Sequence, residues 1–487
     1  MKKIKLFSLT LIICLIMSFA APAAFALEEP GIEAKAAVLV DLDSGRVLYS
    51  LNMDQQRSPA SLTKIMTVLL ALEAIEGGVC TMDTMITAQP DCRQGMDESS
   101  STAGIQPGTE LTMSELLYCA MIKSANEACN IIASYLGGSI EGFVNMMNKR
   151  AAELGCVNTN FVTTNGLSAE GHYSTAYDLY LITAEAIKHE EFLKMANTRS
   201  YLPSSPAVNA GETMFNSNAL LHETPAYPGD YIYEYASGVK TGYTRAAGYC
   251  LISTAEKKGV NVLAVVMGCD GLLNAGIEEY KNFSSTITLY DWAFDNFSYQ
   301  QVVSEADHIA KVDVAMAKDD VQAILRPNKD VKLLLPNDIK PESISTSVSV
   351  DQAKLTAPID VGEVLGHAKI FVDGEYYGNI DLVNSVKIEL SRSEFLKQKL
   401  AEVFDNGWIK ALLIVIVIFG SIYLALVLRY RSLRKKHLRE KMRRRMESER
   451  LYQEEDFYKT YDEANQFVSV DVSGEEDYSD FEDYDNY

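Results

Sequence analysis

The apolar run from Ala411 to Leu428 constrains this chain more than any other stretch. A charge-free segment of that length fits the hydrocarbon core of a bilayer, where every backbone N–H and C=O must be paired internally, so it has to be a helix. Trp408 and Tyr430 flank it where aromatic rings favour the water interface. Arg429, Arg431, Arg434, Lys435, Lys436, Arg439, Lys441 and Arg443 to Arg445 follow at once, which assigns that side to the cytoplasm. The other end agrees independently. Lys2, Lys3 and Lys5, an apolar run from Leu6 to Ala21 and then Ala24-Phe25-Ala26 read as a secretory signal, residues 1–26. A single-pass protein of the cell membrane is expected, with its working part outside and its C-terminal tail in the cytoplasm.

The 487 residues suffice for two or three domains, and 47% apolar composition supports a packed core. The net charge of −22 argues against nucleic acid as a partner, and the basic run abutting the span is expected to face lipid headgroups. Seven cysteines remain after the signal, an odd number, so at least one thiol is free. Cys80 and Cys92 are the candidate pair by proximity, and buried apolar thiols are expected for the others. With no Cys-x-x-Cys pattern and no clustered histidines, no metal site is expected.

Along residues 27–297 the pattern opens as a hairpin, Lys35 to Asp41 and Arg46 to Tyr49 around Asp43-Ser44-Gly45. Helical stretches follow, one opened by the capping box Thr112-Met113-Ser114-Glu115 and others over Ser139 to Leu154 and Tyr177 to Ile187. Strands return at Gly238 to Gly242, Tyr249 to Ala255 and Val260 to Met267. Strands at both ends with helices between predict an α+β domain with one antiparallel sheet flanked by helices. Residues 298–390 shift to short β-branched segments (Ala310 to Val314, Val331 to Leu335, Ile344 to Val350, Lys369 to Val372, Val386 to Glu389) with a hairpin turn at Asp373-Gly374, a small all-β domain. Residues 391–410 are expected as an amphipathic helical linker, 429–450 as the basic juxtamembrane segment and 451–487, acidic and Tyr-rich, as a disordered tail.

Chemistry enters at Ser58-Pro59-Ala60-Ser61-Leu62-Thr63-Lys64. Ser58 suits an N-cap and Pro59 the first helical position, which puts Ser61 and Lys64 on one face, close enough for the amine to reach the hydroxyl. Ile65, Met66, Val68, Leu69, Leu70, Leu72 and Ile75 leave hardly a polar face, so the helix is buried. A lysine in such a site loses affinity for its proton and becomes the base a serine nucleophile needs. Two further motifs follow in order, Ser124-Ala125-Asn126 and Lys240-Thr241-Gly242. Acyl transfer accounts for all three: Ser61 as nucleophile, Lys64 as base, Ser124 as the proton route to the leaving amine. Asn126 then holds the substrate amide, Lys240 and Thr241 hold a terminal carboxylate, and Gly242 admits substrate to the strand. Backbone N–H groups of Ser61 and Tyr243 are the expected oxyanion donors.

On these motifs the chain resembles the low-molecular-weight penicillin-binding proteins, D-alanyl-D-alanine carboxypeptidases of peptidase family S11. Further stretches look like family signatures: Ala37 to Asp41 with Gly45 to Tyr49, Asn165-Gly166-Leu167, His172 to Ala176, and Gly238 to Thr244. Ala357-Pro358-Ile359, Gly362 and Gly366 look like its second domain, so the likeness runs from about residue 35 to 390. It implies the serine β-lactamase/penicillin-binding transpeptidase-like fold. It also implies removal of the terminal D-alanine from the peptidoglycan stem pentapeptide through an acyl-enzyme on Ser61. Acylation there by β-lactam antibiotics, and the absence of any cofactor, are implied as well. Ala125 stands where the family commonly has glycine and Glu127 where aspartate is common, and neither removes a reacting group. A serine β-lactamase or a DD-endopeptidase would use the same residues, and a catalytically weak membrane-anchored scaffold working through its acidic tail is an alternative of another class. No feature of the sequence names a partner for that tail.

Overall fold

In the computed structural model of the chain, residues 27–464 are described, apart from 225–226, 228–229, 275–276 and 353. The signal segment and residues 465–487 lie outside them. By contact the chain forms two compact units: residues up to Ile309 with Arg326–Asp351 and Val364–Val383, and Ala310–Leu325 with Gln352–Glu363 and everything from Asn384.

The first unit is built on a five-stranded antiparallel sheet. Strand β1 (Ala36–Asp41) turns into β2 (Val47–Leu51) as the hairpin the sequence predicts, and on its other edge β1 takes a strand from far along the chain. Between these lie helices α1 (Lys64–Glu76), α2 (Met113–Ile122), α3 (Asn126–Gly137), α4 (Ile140–Glu153) and α5 (Ala176–Ala186). The return strands are β3 (Ala236–Thr244), β4 (Gly248–Lys257) and β5 (Val260–Cys269), and the sheet order is β2-β1-β5-β4-β3. Helix α6 (Lys281–Asn296) follows.

Alternation along β1 shows how the layers form. Ala36, Val38 and Val40 join the core shared with α1 to α5, whereas Ala37 and Leu39 join the one shared with Phe283, Leu289 and Tyr290 of α6. Every β1 residue is buried, as a central strand covered on both faces should be. Helix α1 is buried from Lys64 through Leu72, in keeping with its nearly all-apolar sequence.

The expected cap forms at Thr112, whose hydroxyl accepts from Glu115 N, and Ser139 caps the next helix but one by accepting from Gly142 N. Ser58 does not cap. Ala60 takes a left-handed φ of 47°, so the chain enters a 3₁₀ turn, Ala60–Thr63, ahead of α1, and Ser58 Oγ is left buried without a hydrogen-bond partner.

Beyond α6 the first unit continues with β6 (Phe297–Val303) paired to β7 (Val331–Pro336), and with β8 (Ile344–Val350), β9 (Val364–Val372) and β10 (Glu375–Asn384) in antiparallel succession. The Asp373-Gly374 turn between β9 and β10 has φ of 48° and 83°, the geometry that sequence favours. The expected strand at Val386 to Glu389 forms no ladder: Ile388 makes one isolated bridge to Ile359.

In the second unit, Ser391 caps an exposed helix, α7 (Arg392–Asp405), and α8 (Gly407–Ala464) follows. Its apolar part is long enough to cross a membrane and none of its side chains there is buried. The helix runs past Leu451, where disorder was expected, because no glycine or proline interrupts 451–464.

All seven cysteines among the described residues are buried and free, so Cys80 and Cys92 are not paired. Burial raises the thiol pKa to about 11 at Cys129 and Cys250, which keeps both protonated at neutral pH.

Candidate active site

The 3₁₀ turn holds Ser61 at the mouth of α1, against the strand β3. Two glycines make room for it. A Cβ on Gly242 would stand 3.1 Å from Ser61 N and 3.3 Å from Leu62 N. A Cβ on Gly166, whose φ is 87°, would stand 1.8 Å from Ala60 O. Thr63 completes the support: its hydroxyl donates to Ala60 O at 2.8 Å and lies 3.0 Å from His172 Nε2. His172 Nδ1 accepts from Val162 N at 2.9 Å, so the ring proton sits on Nε2 and points at Thr63. Burial, and then the Lys64 charge, push the His172 pKa down to about 4, so the ring is neutral.

Lys64 is fully buried, with Nζ 2.9 Å from Ser61 Oγ, 2.7 Å from Asn126 Oδ1 and 2.6 Å from Asn165 O. Burial lowers its pKa to about 8, partly offset by Cys129 and Glu127. A neutral amine has two N–H donors and one lone pair. The two carbonyl oxygens account for the donors, and the lone pair is left for the Ser61 hydroxyl proton.

Ser124 ends the α2–α3 turn in a left-handed conformation, φ 57°, uncommon for a residue with a side chain. Its Oγ is buried with no hydrogen-bond partner, so it is placed in the site but bonded to neither Ser61 nor Lys64. Strain and an unsatisfied hydroxyl in one residue point to function. Asn126 begins α3, and the next residue, Glu127, accepts from Thr102 Oγ1 and Ala103 N, both at 2.7 Å, and from Ile105 N at 3.3 Å. With the bond from Asn126 N to Ser101 O, this ties the 101–105 loop to the site.

Lys240 is 2% exposed, with Nζ 3.2 Å from Thr241 O. Burial and the nearby Lys64 charge lower its pKa to about 7. Thr241 Oγ1 is hydrogen-bonded to Ser217 Oγ. An open cavity of about 500 Å³ is lined by Ser61, Ser124, Thr241, Gly242 and Tyr243. The loop of Ser99, Ser101 and Thr102, with Lys123 and Ser217, completes it beside the rings of Phe215 and Tyr227.

Of the residues singled out from the sequence, Ser61, Ser124, Thr241, Gly242 and Tyr243 line this cavity, Lys64 is hydrogen-bonded to both Ser61 and Asn126, and Lys240 lies buried beside Thr241. Sequence reasoning gave no role to Asn165, whose carbonyl receives Lys64, to Gly166 and His172 behind the turn, or to Ser217 and Glu127. Asn165, Gly166 and His172 stand out in the sequence only as family signatures, and Ser217, in Asn216-Ser217-Asn218, has no spacing that ties it to Thr241.

A serine hydroxyl 2.9 Å from a fully buried amine, beside an antiparallel sheet, is an arrangement suited to serine acyl transfer. Comparison with known proteins narrows the class. A family model described as D-alanyl-D-alanine carboxypeptidase matches residues 23–271, and one described as penicillin-binding protein 5, C-terminal domain, matches residues 297–390. The chain is 34% identical over 374 residues to D-alanyl-D-alanine carboxypeptidase DacF of Bacillus subtilis, covering 75% of this chain and 90% of that protein. It is 29% identical over 349 residues to DacA of Escherichia coli, covering 71% and 81%. Penicillin-binding protein 5 of Haemophilus influenzae superposes with a TM-score of 0.57 at 26% identity, over 75% of this chain and all of that one. The chain belongs to the D-alanyl-D-alanine carboxypeptidase family, among the low-molecular-weight penicillin-binding proteins, and is an enzyme of that class.

Proposed function

We propose that Ser61, Lys64, Ser124, Asn126, Lys240, Thr241 and Gly242 together remove the terminal D-alanine from the stem pentapeptide of peptidoglycan. Neutral Lys64 takes the Ser61 proton as Oγ attacks the carbonyl carbon of the penultimate D-alanine. The oxyanion is held by the backbone N–H groups of Ser61 and Tyr243, each donor worth roughly 3–4 kcal/mol. As the tetrahedral intermediate collapses, the C–N bond breaks and the proton reaches the leaving amine by way of Ser124, releasing D-alanine. Water then cleaves the ester on Ser61 with Lys64 again as base. Protonated Lys240, the Thr241 hydroxyl and Ser217 beside it draw in the substrate's terminal carboxylate. A β-lactam, which carries an equivalent carboxylate beside a strained amide, acylates the same serine.

The observation that carries this reading is the contact of Ser61 Oγ with a fully buried amine whose pKa lies near 8. We further infer that the apolar part of α8 spans the membrane with the basic helix 429–450 in the cytoplasm, supported by the charge asymmetry about the span. The full chain in detergent should release D-alanine from a pentapeptide, and Ser61→Ala should abolish release. Release by a folded Ser61→Ala enzyme would move the nucleophile elsewhere.

A further inference from the structure

The cavity at Ser61 holds a cation that the reaction above does not use. Lys123 sits on the turn between α2 and α3, directly before Ser124. Among the described residues it is the only charged side chain lining the cavity, it is exposed, and no carboxylate pairs with it. Burial separates its task from that of Lys240, which lies 2% exposed behind the cavity wall beside Thr241. A substrate whose terminal carboxylate is drawn towards Lys240 must leave the cavity through its mouth, with the stem residues before the reacting D-alanine at the rim. Lys123 stands at that rim, and the rings of Phe215 and Tyr243, 53% and 51% exposed, offer apolar surface there.

We propose that Lys123 binds a side-chain carboxylate on the third residue of the stem, the one before the reacting D-alanine. The enzyme then prefers pentapeptides whose third residue is a diamino dicarboxylic acid with that carboxylate free over those in which it is amidated. The proposal rests on the carboxypeptidase reading and names its substrate class more finely. The pair is exposed, so its contribution is modest, about fivefold in kcat/KM at low salt, and it is screened as the ionic strength rises.

The test uses the full chain in detergent micelles and two pentapeptides that differ only in whether the third-residue carboxylate is free or amidated. The ratio of their kcat/KM values is the readout, and because it is taken within one enzyme, a change in folded fraction cancels. The wild type should favour the free carboxylate about fivefold, through KM, with the preference shrinking at about 0.5 M salt. Lys123→Arg should keep the ratio, Lys123→Gln should bring it to one, and Lys123→Glu should invert it. A wild-type ratio of one, or an unchanged ratio in Lys123→Gln, overturns the assignment while leaving carboxypeptidase activity intact. Failure of the wild type to release D-alanine from either peptide overturns the underlying reading as well.

Discussion

Gly166→Ala is the substitution whose effect follows most directly from the geometry around Ser61. The new Cβ would lie 1.8 Å from Ala60 O, 2.3 Å from Ala60 C and 3.0 Å from Ser61 N. Real Cβ contacts stop at about 3.0 Å, so the turn that carries the nucleophile must retreat by more than 1 Å. The backbone at φ 87° adds its own strain, about 1–2 kcal/mol for a residue with a side chain. A domain of this size should lose roughly 4–8 °C in Tm from about 2 kcal/mol of such strain. Catalysis should suffer more, because a shift of about 1 Å in a reacting group costs on the order of a hundredfold in rate. The assay is stopped-flow acylation by a fluorescent penicillin, normalised to the folded fraction measured by circular dichroism. Acylation within about twofold of wild type, with an unchanged Tm, would refute the claim that Gly166 sets the position of Ser61.

Three further predictions concern the charges around the site, and a fourth the membrane topology. On the proposed roles Lys64 must be neutral to act, with a pKa of about 8, and Lys240 charged to bind, with a pKa of about 7, so kcat/KM in the free enzyme should rise to a maximum between those two values and then fall. The two limbs overlap into a narrow bell that belongs to the pair, and a bound carboxylate, by holding the Lys240 proton, should let kcat keep rising to higher pH. A kcat/KM profile flat from pH 6 to 9 would contradict it. Glu127 raises the Lys64 pKa, so Glu127→Gln should move the rising limb to lower pH, whereas a shift upward would reverse the assigned cause. His172 is held neutral with its pKa near 4 against 6.5 unfolded, so the unfolded chain binds the extra proton between those values. Stability should fall by roughly 3 kcal/mol as pH drops through that window, and denaturant titrations of His172→Asn should lack that slope. For topology, protease added outside intact cells should leave the region after Leu428 protected, and its digestion would refute the orientation.

The sheet and the three motifs were legible because they rest on local pattern. Short apolar, β-branched runs bounded by turn residues mark β1, β3, β4 and β5, and the Ser61, Ser124 and Lys240 motifs carry fixed spacings that survive without knowledge of the fold. What stayed hidden depends on contacts between distant segments. The cap at Ser58 does not form because Ala60 turns left-handed there, in a turn packed against Gly166 more than a hundred residues away in sequence, and no local propensity records that contact. Asn165 serves Lys64 through its backbone carbonyl, which any residue could supply in principle, so its side chain gave no chemical signal. Glu127 looked like a departure from a family pattern. In the fold its longer side chain reaches across to the backbone at Ala103 and Ile105, a reach visible only once the 101–105 loop is in place. The strand expected at Val386 to Glu389 illustrates the opposite error: a β-branched segment without an adjacent strand edge forms one bridge and no ladder.

The central claim, that Ser61 is the nucleophile and Lys64 its base, is tested most directly by mapping the penicillin adduct on the intact chain by mass spectrometry and following it over time. The account predicts one adduct per chain, on the peptide carrying Ser61, formed faster at saturating penicillin as pH rises through about 8 and absent in Ser61→Ala. Its decay rate separates a penicillin-binding carboxypeptidase from a β-lactamase. An adduct on any other residue, or labelling that persists in a folded Ser61→Ala chain, would contradict it.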